Sequence, residues 1–82
     1  MRYRLFLSVE AREDLRGLPG EYRRNIGRRL EVLQNGLAGD VRKLGGHESK
    51  YRLRVGPFRV LFTLESDVIF VYAVKDRKEA YE

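Results

Sequence analysis

Three alternating runs, residues 50–55, 58–65 and 68–75, are separated by only two residues each, Gly56-Pro57 and Ser66-Asp67. Period-two alternation sends successive side chains to opposite faces of a strand. Connections this short join neighbouring strands that run antiparallel. The C-terminal half is therefore read as an antiparallel meander with one apolar face. In YRLRVGPFRVLF, Tyr51, Leu53, Val55, Phe58, Val60 and Phe62 take the apolar face. A two-residue loop at Gly56-Pro57 pairs Val55 with Phe58 and sets Arg54 opposite Arg59, with Arg52 on the same face as Arg54.

An apolar sheet face needs a cover, and the N-terminal half supplies one. Residues 2–8, RYRLFLS, alternate as a first strand. Ser8 can cap a helix carrying Ala11, Leu15 and Leu18, which ends near Gly17–Pro19. Residues 20–36 form a second helix whose stripe is Tyr22, Ile26, Leu30, Leu33 and Leu37. Gly36 is its expected stop. Arg23, Arg24, Arg28 and Arg29 lie largely outside the stripe and read as a solvated helix face or a contact to RNA backbone. Residues 40–47 turn the chain, with room for a short strand at 41–44. The order is β-α-α-β-β-β, an α+β fold with an antiparallel sheet and an αα-hairpin on one face.

Composition narrows what such a fold can do. The chain has 82 residues, the size of one domain spanning 1–82, and no Cys, hence no disulfide and no thiolate metal site. A domain without staples suits a reducing compartment, so a cytoplasmic protein is expected. No run approaches the ~18–20 apolar residues of a membrane span, and the short apolar stretch near the N-terminus does not read as a signal peptide. Lys and Arg number 17 against 12 Asp and Glu, a net charge of +5. Thirteen of those 17 bases are Arg, whose planar fork matches phosphate oxygens two at a time. Nucleic acid or an acidic protein is the expected partner.

The arginine face sharpens that expectation. Like charges directly opposite destabilise a sheet, and Arg does not relieve the repulsion by losing its proton. Phosphates or a partner's carboxylates would. Arg52, Arg54, Lys43 and Lys50 are read as an RNA-contacting set. The single His, His47, sits in a Gly-rich loop, and Gly45-Gly46 lacks the spacing of a phosphate loop. With one His and no Cys, a His-rich metal site or a Cys-His pair cannot be assembled, so no cofactor and no metal is expected. One reaction remains open to an Arg cluster. The 2′-hydroxyl of RNA can attack its own phosphate, and the protein then has to align the nucleotide and neutralise developing charge.

YRLRVGPFRVLF, the apolar strand after it and the C-terminal DRKEAY resemble the RelE/ParE superfamily of toxins. SVEAREDLRGLP resembles that family's first helix and VRKLGG its entry to the sheet. The resemblance implies a toxin of a toxin–antitoxin pair, neutralised by an acidic antitoxin. RelE-like members cleave messenger RNA in the ribosomal A site without metal; ParE-like members inhibit DNA gyrase. A degenerate member that only binds its antitoxin is a third reading. By position, Arg52 and Arg54 match the basic pair before the turn, and Arg59 the arginine implied to contact the scissile phosphate. Arg77 and Tyr81 match a C-terminal arginine and tyrosine implied in leaving-group stabilisation and base stacking. The implied catalytic set is Arg54, Arg59, Arg77 and Tyr81. Three positions depart from the family pattern: Arg stands at 52 and 54 where some active relatives carry Lys, and Asp76 where many carry His. These changes remove groups that titrate near neutrality, so the resemblance identifies no general base; Asp76 and Glu79 are the carboxylates nearest that role.

Overall fold

The computed structural model describes residues 2–45 and 49–76. Seven elements follow in order: β1 (Arg4–Leu7), α1 (Val9–Arg16), α2 (Gly20–Gly36), β2 (Asp40–Lys43), β3 (Lys50–Val55), β4 (Phe58–Glu65) and β5 (Val68–Asp76). They build one five-stranded sheet in the order β1-β5-β4-β3-β2, with both helices against one face. No helix among the described residues is long and apolar enough to cross a membrane.

Each helix follows from its sequence. Ser8 Oγ accepts a hydrogen bond from Ala11 N at 3.0 Å, the expected cap. Along α2 the stripe delivers Ile26, Leu30 and Leu33 to full burial, while Arg23, Arg24, Arg28 and Arg29 stay exposed. They meet Leu53, Val55, Phe58, Val60, Phe62, Ile69, Val71 and Val74 from the sheet. Tyr22 packs edge-on to Phe58 at 5.1 Å, and Tyr51 stacks on Phe62 at 5.6 Å. Fully burying one such aliphatic or aromatic side chain contributes about 1.5–3 kcal/mol, so this layer carries most of the fold's stability.

The β3–β4 hairpin keeps the expected register. Val55 pairs with Phe58 and Arg54 with Arg59. Gly56 has φ 58°, and the ring of Pro57 fixes φ near −65°; Gly-first turns of this kind match the twist of a hairpin. Ser66 takes the same left-handed φ, 54°, in the second two-residue loop.

Two expectations are corrected. The sheet is mixed rather than antiparallel throughout, because β1 runs parallel to β5, Arg4 beside Val68 through Leu7 beside Val71. Alternation fixes which face of a strand is buried, not which sheet edge it joins. The helix pair carries the chain back across the sheet and leaves β1 at the edge of the last strand. The stop of α2 also differs. Gly36 remains helical, and Leu37 adopts the left-handed cap at φ 58° and donates from its N to Leu33 O at 2.7 Å. Leu37 packs on the core, and that burial outweighs its reluctance to enter this region.

Candidate nucleic-acid interface

The helices leave one sheet face open, and register places its residues in rows. Asp40 pairs with Arg54, Arg54 with Arg59, and Arg59 with Lys75, giving one row across four strands. The next row reads Arg42, Arg52, Leu61 and Ala73. Five cations thus share two adjacent rows with one carboxylate. Neighbouring side chains within a row lie ~4.5–5.5 Å apart at Cβ.

Asp40 organises the edge of this patch. Its Oδ1 lies 3.3 Å from Arg52 Nη1, and its carbonyl oxygen accepts from the same nitrogen at 3.0 Å. The Arg52 side chain is 11% exposed, so it is folded down against β2 rather than splayed into water. Arg54 stands exposed, whereas Arg59 and Lys75 are half-buried and the Arg59 Nη1 atom is shielded from solvent. A half-buried cation feels less solvent screening than an exposed one, so charge brought beside Arg59 is held more strongly.

A bulge decides the far side of the row. Leu61 pairs with Ala73 but Phe62 with Val71, which leaves Tyr72 as the extra residue. One inserted residue flips every later side chain to the other face. Unbroken alternation from Ile69 and Val71 would bury Ala73 and Lys75 beneath the helices. The bulge instead buries Val74 in the core and brings Lys75 beside Arg59. Tyr72 turns to the open face, where Lys50 Nζ lies 5.9 Å from its ring centre. Burial raises the Tyr72 phenol above its usual 10.0.

The structure brings together Arg52, Arg54 and Arg59 of the residues singled out by sequence. Lys50 shares their face, but in the row of Thr63, four residues along β3 from Arg54. Lys43 does not share it: it pairs with Tyr51, on the helix side, and the neighbouring Arg42 takes the place beside Arg52. Asp76 pairs with Phe58 and lines a groove with Glu13, Asp14, Leu18 and Val74, away from the arginine rows. Arg77, Tyr81, Glu79 and His47 lie outside the described residues. Asp40, Arg42 and Lys75 are additions. The alternation of DVRK could have found the first two; no residue type marks the bulge that delivers Lys75. Among the described residues no cluster of His, Asp and Glu could hold a metal ion.

Comparison with known proteins agrees with this architecture. The family model for the ParE toxin of type II toxin–antitoxin systems matches residues 5–81. Toxin RelE3 of Methanocaldococcus jannaschii is 33% identical over 75 residues, covering 85% of each chain. The RelB–RelE antitoxin–toxin complex from Methanococcus jannaschii contains a chain 30% identical, with a TM-score of 0.79 and coverage of 93% of this chain and 94% of that one. The archaeal RelE–RelB complex from Pyrococcus horikoshii OT3 gives 27% identity and a TM-score of 0.83, covering 98% and 100%. A chain of the chromosomal ParDE system from P. aeruginosa shares the fold at 16% identity, with a TM-score of 0.70 and coverage of 92% and 96%. With its β-α-α-β-β-β-β order, its open arginine face and these relatives, the chain belongs to the RelE/ParE superfamily of toxins of type II toxin–antitoxin systems.

Proposed function

We propose that the chain is a ribosome-dependent messenger-RNA endoribonuclease that acts in the cytoplasm and is neutralised by an acidic antitoxin. The observation that carries this reading is the row Asp40–Arg54–Arg59–Lys75 on the face that the helices leave open. In the reaction, the 2′-oxygen of a nucleotide attacks its own 3′-phosphorus. The bond from phosphorus to the 5′-oxygen of the next nucleotide breaks, leaving a 2′,3′-cyclic phosphate and a 5′-hydroxyl. One proton leaves the 2′-hydroxyl and one reaches the departing oxygen. Arg59 and Lys75 neutralise charge on the phosphoryl oxygens, while Arg54 and Arg42 hold flanking phosphates. Arg52, already held by Asp40, sets the shape of the patch. Arg77 and Tyr81 are assigned to the leaving group and to base stacking by their match to the family pattern.

The named RelE relatives, at 27–33% identity, support this branch. RelE–RelB pairing in two of them supports an antitoxin partner here. The matched family model carries the ParE description, which favours a second reading, a gyrase inhibitor without nuclease activity.

Cell-free translation with mapping of messenger 5′ ends separates the two. Cleavage inside the A-site codon, reduced about 10²–10³-fold in folded Arg59→Ala protein, is expected from loss of one charge-stabilising contact. Intact messenger together with blocked supercoiling by gyrase would establish the second reading instead.

A further inference from the structure

Beyond the arginine rows the open face changes character. Phe6 and Phe70 are register partners across the β1–β5 pair and are 51% and 40% exposed. Register runs from Lys50 to Thr63 to Phe70 to Phe6, so the two rings share a face with Arg54 and Arg59. The bulge adds the Tyr72 ring to the same side, beneath Lys50. Two large exposed rings in register leave apolar area open to water, and rimmed apolar patches of this kind mark binding surfaces.

We propose that Phe6, Phe70 and Tyr72 form a base-stacking shelf for single-stranded RNA whose phosphates the arginine rows hold. The inference rests on the RNA reading above and extends it to a second subsite. Single-stranded nucleic acid is bound where a basic track runs beside aromatic rings, because every base has a flat face and every linkage a charge. Both parts are present here on one continuous surface. Arg59 and Thr63 are four residues apart on β4, a span of about 13 Å at ~3.3 Å per residue. Stacked nucleotides advance ~3.4 Å along a strand, so the shelf meets a base some two to four nucleotides from the phosphate at Arg59, depending on how extended the RNA is. Lys50, which ends the row of the rings on β3 and holds its Nζ 5.9 Å from the Tyr72 ring centre, is placed to meet a phosphate beside the shelf. Short RNA should therefore reach only the arginines, and longer RNA should reach both.

The test uses fluorescence anisotropy with labelled 2′-O-methyl oligoadenylates, which lack the attacking hydroxyl, of two lengths: a trimer and a decamer. The full chain is compared with Phe6→Ala/Phe70→Ala, and with Phe6→Leu/Phe70→Leu, which keeps apolar area but removes the rings. Both variants are expected to weaken decamer binding about 10- to 100-fold. Trimer affinity and the salt dependence should stay unchanged, because no phosphate contact is lost. Unchanged decamer binding by the folded Leu variant overturns the shelf and assigns the rings to a protein partner. Equal losses for trimer and decamer also overturn it, since the rings would then act through the arginine rows. If the unaltered chain binds neither oligonucleotide, the shelf falls, while the RNA reading stands or falls separately on the mapping of messenger ends in cell-free translation.

Discussion

Asp14 on α1 accepts a hydrogen bond through Oδ2 from the backbone N of Val74 on β5, at 2.9 Å. β1 ends at Leu7, and the edge of β5 beyond it would otherwise lie open. α1 takes its place. Ser8 N donates to Val71 O, Ser8 Oγ to Tyr72 O, and the Asp14 carboxylate receives the next outward N–H. Helix side chains thus satisfy a sheet edge around the bulge. Asp14→Ala leaves the N–H of the buried Val74 unsatisfied and is expected to cost about 1–3 kcal/mol. Chemical denaturation checks this, and Asp14→Asn, which retains an acceptor oxygen, should recover part of the loss.

Asp40 is expected to act as a brake on anion binding. Its carboxylate is the one acidic side chain in the two cationic rows, and it engages Arg52. Asp40→Asn keeps the shape and removes the charge. RNA should bind more tightly, and the salt slope should steepen by roughly 0.7 for each phosphate contact the freed Arg52 gains. Titrations at several salt concentrations measure both quantities. A weaker complex would mean that Asp40 serves chiefly to position Arg52.

Ser66 carries a left-handed backbone in a turn that glycine accommodates more readily. Such a residue stores about 1–3 kcal/mol of local strain, part of which glycine offsets by its greater freedom when unfolded. Ser66→Gly should stabilise the fold by a net ~0.5–1 kcal/mol. That corresponds to a Tm rise of a few degrees, about 4–8 °C per kcal/mol in a chain of this size.

Tyr72 gives the fold an alkaline weakness. Burial raises its phenol above 10.0, so the unfolded chain ionises first as pH rises. The stabilising contribution is full below about pH 10 and is lost as pH climbs through the raised native value. Tyr72→Phe should therefore melt more like the parent at about pH 8 and gain on it above about pH 10. Parallel melts across that window test the direction.

The strands, the β3–β4 register and the α2 stripe were legible because each rests on local periodicity or on a two-residue loop. Arg54 facing Arg59 followed from Gly56-Pro57 alone. The position of β1 was not legible, because edge choice depends on the whole sheet. Nor was Lys75, because the bulge at Tyr72 carries no Gly or Pro to announce it and yet inverts the side-chain parity after it. Lys43 was misplaced for a simpler reason. A four-residue edge strand has one parity choice, and the start of β2 at Asp40 puts Arg42 on the arginine side.

The parallel seam between β1 and β5 also governs when a working molecule can exist. Ser8 and Tyr72, which close that seam, are 64 residues apart. During synthesis the first strand leaves the ribosome long before its partner has been made. The β3–β4 hairpin can form from neighbours, but β1 has nothing to join until nearly the whole chain has emerged. Such distant pairings are the slow ones in folding. Lys75 arrives in the same late segment, so the cationic row and the seam are completed together. A toxin assembled this way stays incomplete while it is being translated.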